Sequence, residues 1–354
     1  MKGRPSRTRR RPGGRRRRSG ARPLWPLLGL ALVGAVAAVL ASRRPASDEV
    51  DEPAGQGEGP EPVGEPERAG ESEPAGEPEP AGKPEAAEAE QLWIAGPAGN
   101  LFVRVVRRGG AAAGGRLPVL FVHSLAGNGG QWALQLDHLR RRRQALAVDL
   151  RGHGDSDPAE DGAYDVAAFA ADVVAVADHF ALRRFVLAGH SLGAAVAIAY
   201  AAAHPQRVAG LLLVDPNGDQ TRIPRQQIEP FLAALRAEPL AELESYFRQL
   251  VAGGDRDAAH WVIEDLRLTH EGAVAPAVAA AVEFAPLPAL ARYPGPRLAV
   301  ISTANDLPYS LHKLLPELPV QLVRGTGHWL MMDRPEIFNG ILETFLEQVE
   351  NAVD

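Results

Sequence analysis

Ten residues in the second half of the chain leave the backbone few choices: Val186-Leu187-Ala188-Gly189-His190-Ser191-Leu192-Gly193-Ala194-Ala195. Val186, Leu187 and Ala188 read as a short buried strand, and the alanine-rich run through Ala203 reads as a helix. An abrupt turn has to join them. To give way to a helix so quickly, the backbone must bend hard at Ser191 and hold it in a strained conformation. Residues two before and two after the bend are then pressed together, and glycine stands at both positions, Gly189 and Gly193. Ser191 would be lifted clear of the sheet beside the first N–H groups of a helix, which favour developing negative charge. A plain strand-to-helix turn would fit the same five residues, so the rest of the chain has to decide.

Around this bend, strand-like and helix-like runs alternate. Residues 92–94 and 101–106, separated by Gly96-Pro97-Ala98-Gly99-Asn100, predict an antiparallel hairpin. Short apolar runs at 117–123, 145–150, 185–188 and 208–214 predict strands buried on both faces. Between them, 131–141, 166–180 and 191–203 carry helical spacing. Such alternation implies a mostly parallel sheet covered by helices on both sides. It breaks at Pro216. Residues 216–296 contain helical runs at 226–237, 239–252 and 257–269 but no strand, and roughly 80 residues are too many for a loop. A helical subdomain is expected there. The alternation resumes with a strand at 297–302, a helix near 308–315, a strand at 320–323 and a closing helix over 334–349.

The first ninety residues are of another kind. Residues 1–44 hold Lys2 and twelve arginines with no acid, whereas 45–90 hold fifteen acids against Arg68 and Lys83. Residues 23–42 contain no charge, and twenty helical residues span about 30 Å, the thickness of a bilayer's hydrocarbon core. The basic excess before this run predicts a cytoplasmic tail over 1–22, a single transmembrane anchor over 23–42 and everything later outside the cytoplasm. A cleaved signal peptide, with Val39 and Ala41 as the small residues at its cleavage site, is the alternative. Residues 43–90, which repeat Glu-Pro and Pro-Ala-Gly, predict a disordered acidic linker with almost nothing to bury. The chain has no cysteine, which excludes disulfides, thiol catalysis, cysteine metal sites and lipid attachment to a cysteine. The folded part, 91–354, is mildly acidic, which argues against a nucleic-acid surface.

Four further segments follow predicted strands, where open α/β sheets bind ligands. They are His123-Ser124-Leu125-Ala126-Gly127, Asp149-Leu150-Arg151-Gly152-His153-Gly154-Asp155-Ser156, Thr303-Ala304-Asn305-Asp306 and Gly325-Thr326-Gly327-His328. With Gly189-His190-Ser191-Leu192-Gly193, a match to the nucleophile elbow, they make residues 91–351 resemble the α/β-hydrolase superfamily. The resemblance implies an eight-stranded, mostly parallel sheet with a helical cap inserted after the sixth strand, at 216–296. It implies Ser191 as nucleophile and His328 as general base, in the chain order serine, acid, histidine. For the acid it offers two positions: Asp306, after the seventh strand, is preferred, and Asp215, after the sixth, is the alternative. The backbone N–H groups of Leu125 and Leu192 would form the oxyanion hole, with Ser124 standing where the family usually has glycine. The Asp149–Ser156 segment reads as a structural turn whose charged groups pair with one another.

A serine at the elbow points to acyl transfer through a covalent acyl-enzyme, without metal or cofactor. Esters of small to medium apolar acids are the expected substrates, with Trp132, Phe231, Phe247 and Trp261 as candidate pocket residues. Two alternatives remain: a cofactor-free haloperoxidase-like or carbon–carbon hydrolase-like member, and a non-catalytic binding protein tethered to the membrane. The sequence does not fix the oligomeric state.

Overall fold

The computed structural model describes residues 80–107 and 116–352. The expected basic tail, the apolar run at 23–42 and most of the acidic linker lie outside the described residues. Among the described residues no helix is long and apolar enough to cross a membrane.

Eight strands form one sheet: β1 (Glu90–Gly96), β2 (Gly99–Val106), β3 (Val119–Val122), β4 (Ala145–Val148), β5 (Phe185–His190), β6 (Val208–Val214), β7 (Arg297–Ser302) and β8 (Val320–Val323). Their order across the sheet is β1-β2-β4-β3-β5-β6-β7-β8. The β1–β2 and β2–β4 pairs are antiparallel, and every pair from β4 to β8 is parallel. The parallel strands read as continuous apolar runs because both faces are covered. In β3, Val119 and Phe121 turn to one side with Trp132, Leu136, Phe338 and Leu342. Leu120 and Val122 turn to the other, with Phe169, Val173, Val196 and Ile198.

The covering helices are α1 (Ala133–Leu139) and α11 (Pro335–Asn351) on the first side, α2 (Val166–His179) and α3 (Leu192–Ala203) on the second. Between β6 and β7 the chain leaves the sheet for five helices: α4 (Arg225–Ala237), α5 (Pro239–Leu250), α6 (Arg256–Leu266), α7 (Glu271–Glu283) and α8 (Pro286–Leu290). This is the helical insertion expected at 216–296. The helix α7 is missing from the sequence reading because its run is mostly alanine and valine and carries Pro276 in its interior. Between β7 and β8 the helix narrows to one turn, α9 (Leu311–Leu314), and α10 (Leu330–Asp333) precedes α11.

The linker boundary also moves. Residues 80–89, expected to be disordered, lie against the folded domain: Ala86 and Ala89 pack on its core, and the Trp261 indole N–H donates to Ala81 O at 3.0 Å. A tether poor in apolar side chains is fixed here by polar contacts to residues 180 and 182 positions further along the chain.

Candidate active site

The bend at Ser191 has the predicted strain, with φ 54° and ψ −113°. Both glycines are required by contact. A Cβ on Gly189 would lie 2.1 Å from Gly193 O, and one on Gly193 would lie 2.5 Å from the carbonyl oxygens of Val122 and His123. Ser191 N–H is tied back to Val214 O at 3.0 Å, and Leu192 opens α3. The Leu192 amide thus sits in the first helical turn, where N–H groups lack an intrahelical acceptor.

His328 is brought to the bend by a loop whose backbone cannot thicken. Its N–H donates to Leu250 O at 2.9 Å, and a Cβ on the preceding Gly327 would lie 2.8 Å from that same oxygen. On the far side of the ring, Nδ1–H donates to Asp215 Oδ2 at 2.7 Å. Asp215 is 1% exposed and accepts three more hydrogen bonds, from Ser302 N (2.8 Å), Ser302 Oγ (2.9 Å) and Asn305 Nδ2 (3.0 Å). It stands at φ 39°, a left-handed conformation that aspartate tolerates better than most residues.

The preference for Asp306 is therefore overturned. Its side chain is 64% exposed and ion-paired with Lys313 at 2.6 Å, which holds its carboxyl below the usual carboxylate range. The segment Thr303-Ala304-Asn305-Asp306 still serves the site, but through Asn305, which donates both to Asp215 and to Pro216 O.

Below His328 lies His190, with ring centroids 4.6 Å apart. Its Nε2–H donates to His328 O at 2.9 Å, so the elbow's second residue braces His328 through its backbone. Complete burial pushes the His190 pKa well below the ordinary histidine value, which keeps a second cation away from His328. His123 is also buried and neutral: Nε2 accepts from Leu150 N, Nδ1–H donates to Ser124 O at 2.6 Å, and burial lowers its pKa to about 4.

The Asp149–Ser156 turn is structural as expected, although its charges do not pair with one another. Asp149 pairs with Arg104 and accepts from Gly129 N, each at 2.6 Å, while Arg151 forms a fork onto Asp172. Ser156 ties Asp149 O to Phe102 N.

Ser191, Leu192, His328, Ser124 and Leu125 all line one recess beneath the cap. Phe231 and Phe247 line it, with Tyr246, Leu250, Ala277, Val278 and Ala281 completing an apolar wall. Trp132 and Trp261 do not. Trp132 is fully buried and stacked on Phe121 at 4.7 Å, and Trp261 faces the tether through Ala81. The sequence reading missed Asn217, Gln220 and Trp329, which also line the recess. Asn217 is the most consequential, because its Oδ1 accepts from Ser191 Oγ at 3.2 Å. Its one signal was position, two residues beyond Asp215. Among the described residues no group of histidine, aspartate or glutamate side chains is arranged to hold a metal ion.

Comparison with known proteins agrees with this fold. Residues 119–341 match the model of the alpha/beta hydrolase family. Over 126 residues the chain is 35% identical to the dihydrolipoyllysine-residue acetyltransferase component of the acetoin cleaving system of Pseudomonas putida, covering 36% of this chain and 34% of that protein. Over 144 residues it is 34% identical to the (lyso)-N-acylphosphatidylethanolamine lipase of Mus musculus, covering 36% of this chain and 41% of the lipase. The matches thus span a third to two fifths of these relatives. Among solved structures, a thermophilic esterase from Thermogutta terrifontis superposes with a TM-score of 0.60 at 23% identity, over 74% of this chain and all of the esterase.

Proposed function

The chain belongs to the alpha/beta hydrolase family, and from that premise we propose that it is a serine hydrolase cleaving carboxylic esters of small to medium apolar acids. The observation that carries the reading is the His328–Asp215 hydrogen bond at 2.7 Å beside Ser191, within a recess walled by apolar side chains. Asp215 fixes the His328 tautomer with the proton on Nδ1, leaving Nε2 unprotonated as the basic nitrogen.

In the resting state Ser191 Oγ donates to Asn217. For attack it turns to His328, which takes its proton as the oxygen adds to the ester carbonyl. The tetrahedral oxyanion is met by the N–H groups of Leu125 and Leu192, and the proton on His328 passes to the departing alcohol. Water then enters by the same route in reverse, frees the acid and restores Ser191. Asp215, held by four donors, stabilises the imidazolium at each turn without itself taking the proton. The wall of Phe231, Phe247, Leu250, Val278, Ala277 and Ala281 suits an apolar acyl chain rather than a charged one.

The test is labelling with a fluorophosphonate probe. The wild-type protein should label, Ser191→Ala should not, and esters of increasing acyl length should then define the pocket. Equal labelling of the variant would remove Ser191 as nucleophile. We also propose that residues 23–42 tether this domain to a membrane with residues beyond 44 outside the cytoplasm, on the arginine excess that precedes the apolar run. Protease added outside intact spheroplasts should then release the domain, and protection until lysis would reverse the orientation.

A further inference from the structure

Asp265, on cap helix α6, is a carboxylate 2% exposed that belongs to neither the sheet core nor the recess. Three side chains converge on it from two other parts of the chain. Asn128 Nδ2 donates to Oδ1 at 2.8 Å and Gln131 Nε2 to Oδ2 at 3.2 Å, both from the loop after β3. The third is the Lys83 ammonium, ion-paired with Oδ1 and supplied by the tether. Among the described residues Lys83 is the cation paired with this buried charge. A carboxylate so deeply placed is costly without its partner, whereas an exposed pair would matter little.

The loop side of this junction reaches the catalytic residues. Asn128 Oδ1 accepts from Gly130 N at 2.9 Å, which shapes the turn of backbone after Leu125. Gln131 Oε1 accepts from Ser124 Oγ at 3.4 Å and from Trp329 Nε1 at 3.3 Å. Ser124 directly precedes the Leu125 amide, and Trp329 directly follows His328. One amide side chain therefore touches the neighbours of both the oxyanion donor and the base, and its other end rests on Asp265.

We propose that residues 80–89 are a working part of the catalytic domain, with Lys83 a positioning residue that sets the oxyanion loop 124–131 through Asp265 and Gln131. The idea rests on the serine-hydrolase reading for its catalytic consequence. Its mechanical half, from Lys83 to the loop, stands apart from that reading. Removing the ammonium leaves Asp265 buried without its counter-charge, so its hold on Asn128 and Gln131 loosens and the Leu125 amide loses its aim.

The full-length chain carrying Lys83→Ala is compared with wild type and with Lys83→Arg, which keeps the charge. Hydrogen exchange of the 124–131 amides should be about ten-fold faster in Lys83→Ala and return toward wild type in Lys83→Arg. On a short soluble ester, kcat should fall about ten-fold with KM changed less than two-fold, again restored by arginine. Lys83→Ala combined with Asp265→Asn should be no slower than Asp265→Asn alone, since both act through one junction. Unchanged exchange in Lys83→Ala, an unchanged kcat, or additive losses in the double variant would each overturn the proposal. If the wild type neither labels at Ser191 nor turns over esters, the hydrolase reading falls instead, and hydrogen exchange still decides the link from Lys83 to the loop.

Discussion

Two aspartates follow neighbouring parallel strands, and their fates differ completely. Asp215, at the end of β6 in the middle of the sheet, is buried under the His328 loop with four hydrogen-bond donors converging on it. Asp306, four residues beyond β7, lies out in solvent on Lys313. The strand ends of the inner sheet are where polar groups are enclosed and held: His123 after β3, Asp149 after β4, His190 at the end of β5 and Asp215 after β6 are all buried. Toward the edge the enclosure fails, and β8 exposes Val320 and Leu322. A carboxylate orients an imidazolium best where water does not compete for it, so on the proposed serine-hydrolase reading enclosure, not residue type, selects the acid.

The comparison breaks most easily by exchanging each acid for its amide. Asp215→Asn removes the charge that fixes the His328 tautomer, and kcat on a short ester should fall by roughly 10⁴. Asp306→Asn should stay within about two-fold of wild type, because its side chain touches Lys313 and His312 and not His328. The reverse ranking in steady-state kinetics would return the role to the β7 loop.

Why the sequence could not make that choice is instructive. Gly189 and Gly193 were legible because their constraint is local: the clash that excludes a Cβ involves residues four apart, with Val122 and His123 just across the next strand. His328 was legible from the glycines before it: Gly325, at φ 69°, meets a local turn requirement, although the contact that excludes a Cβ at Gly327 is with Leu250, far back in the chain. Asp215 and Asp306 both follow apolar strands and both sit among turn-forming residues. What separates them is which strand end lies under a loop more than a hundred residues downstream of Asp215. Trp132 and Trp261 failed in the same way, since an aromatic residue announces burial but not direction. The eight-strand alternation and the cap were readable from period and length, whereas α7 was hidden by its proline and its unbroken apolar composition. Residues 80–89 look like linker until Asp265, over 180 residues away, is seen to hold Lys83.

Acid titration sharpens the contrast in stability. Burial lowers the pKa of His123 to about 4 and that of His153 to about 3, and their rings lie 5.2 Å apart. In the unfolded chain both titrate near 6.5, so the unfolded state takes up protons first as pH falls. The stability present above pH 6.5 is therefore lost progressively below it, until the folded pKa values are reached. At pH 5 the loss is about 2 kcal/mol for each histidine. Asp149, Arg104 and Arg151 also border these rings, and burial raises the Asp149 pKa, which offsets part of the loss once that carboxyl protonates. In His153→Asn, which keeps a donor toward Arg151 O, urea midpoints at pH 7 and pH 5 should differ by less than in wild type. An equal drop in both proteins would mean that the inner strand ends do not govern acid stability.

A finer cut tests whether the β7 loop serves the β6 acid. Asn305→Ala removes the donor to Asp215 Oδ1 and the tie to Pro216 O, leaving the carboxylate with Ser302 and His328. A hydrogen bond to a charged group contributes about 1.5–3 kcal/mol, and water replaces part of it at a half-buried site. We expect kcat to fall about ten-fold, with KM nearly constant because Asn305 does not line the recess. If KM rises while kcat holds, Asn305 shapes the pocket rather than the acid.

The smallest effect belongs to the edge, and it is the one that shows the difference is enclosure. Lys313 holds the Asp306 carboxyl below its usual range at 2.6 Å, with His312 at 3.4 Å. On distance alone this pair rivals His328–Asp215. Both side chains are, however, about half exposed or more, so solvent screens the attraction and ordering the lysine costs entropy. A depressed carboxylate pKa means that whatever the pair contributes is present above the unfolded value and lost as pH falls through the folded one. For so exposed a pair that contribution is at most about 0.5 kcal/mol. Thermal melts of Asp306→Asn, Lys313→Ala and the double variant should therefore lie close to wild type at pH 7, and 0.5 M salt should erase what difference remains. A coupling above about 1 kcal/mol, unmoved by salt, would show that the edge loop encloses its acid too, and the distinction between the two strand ends would not hold.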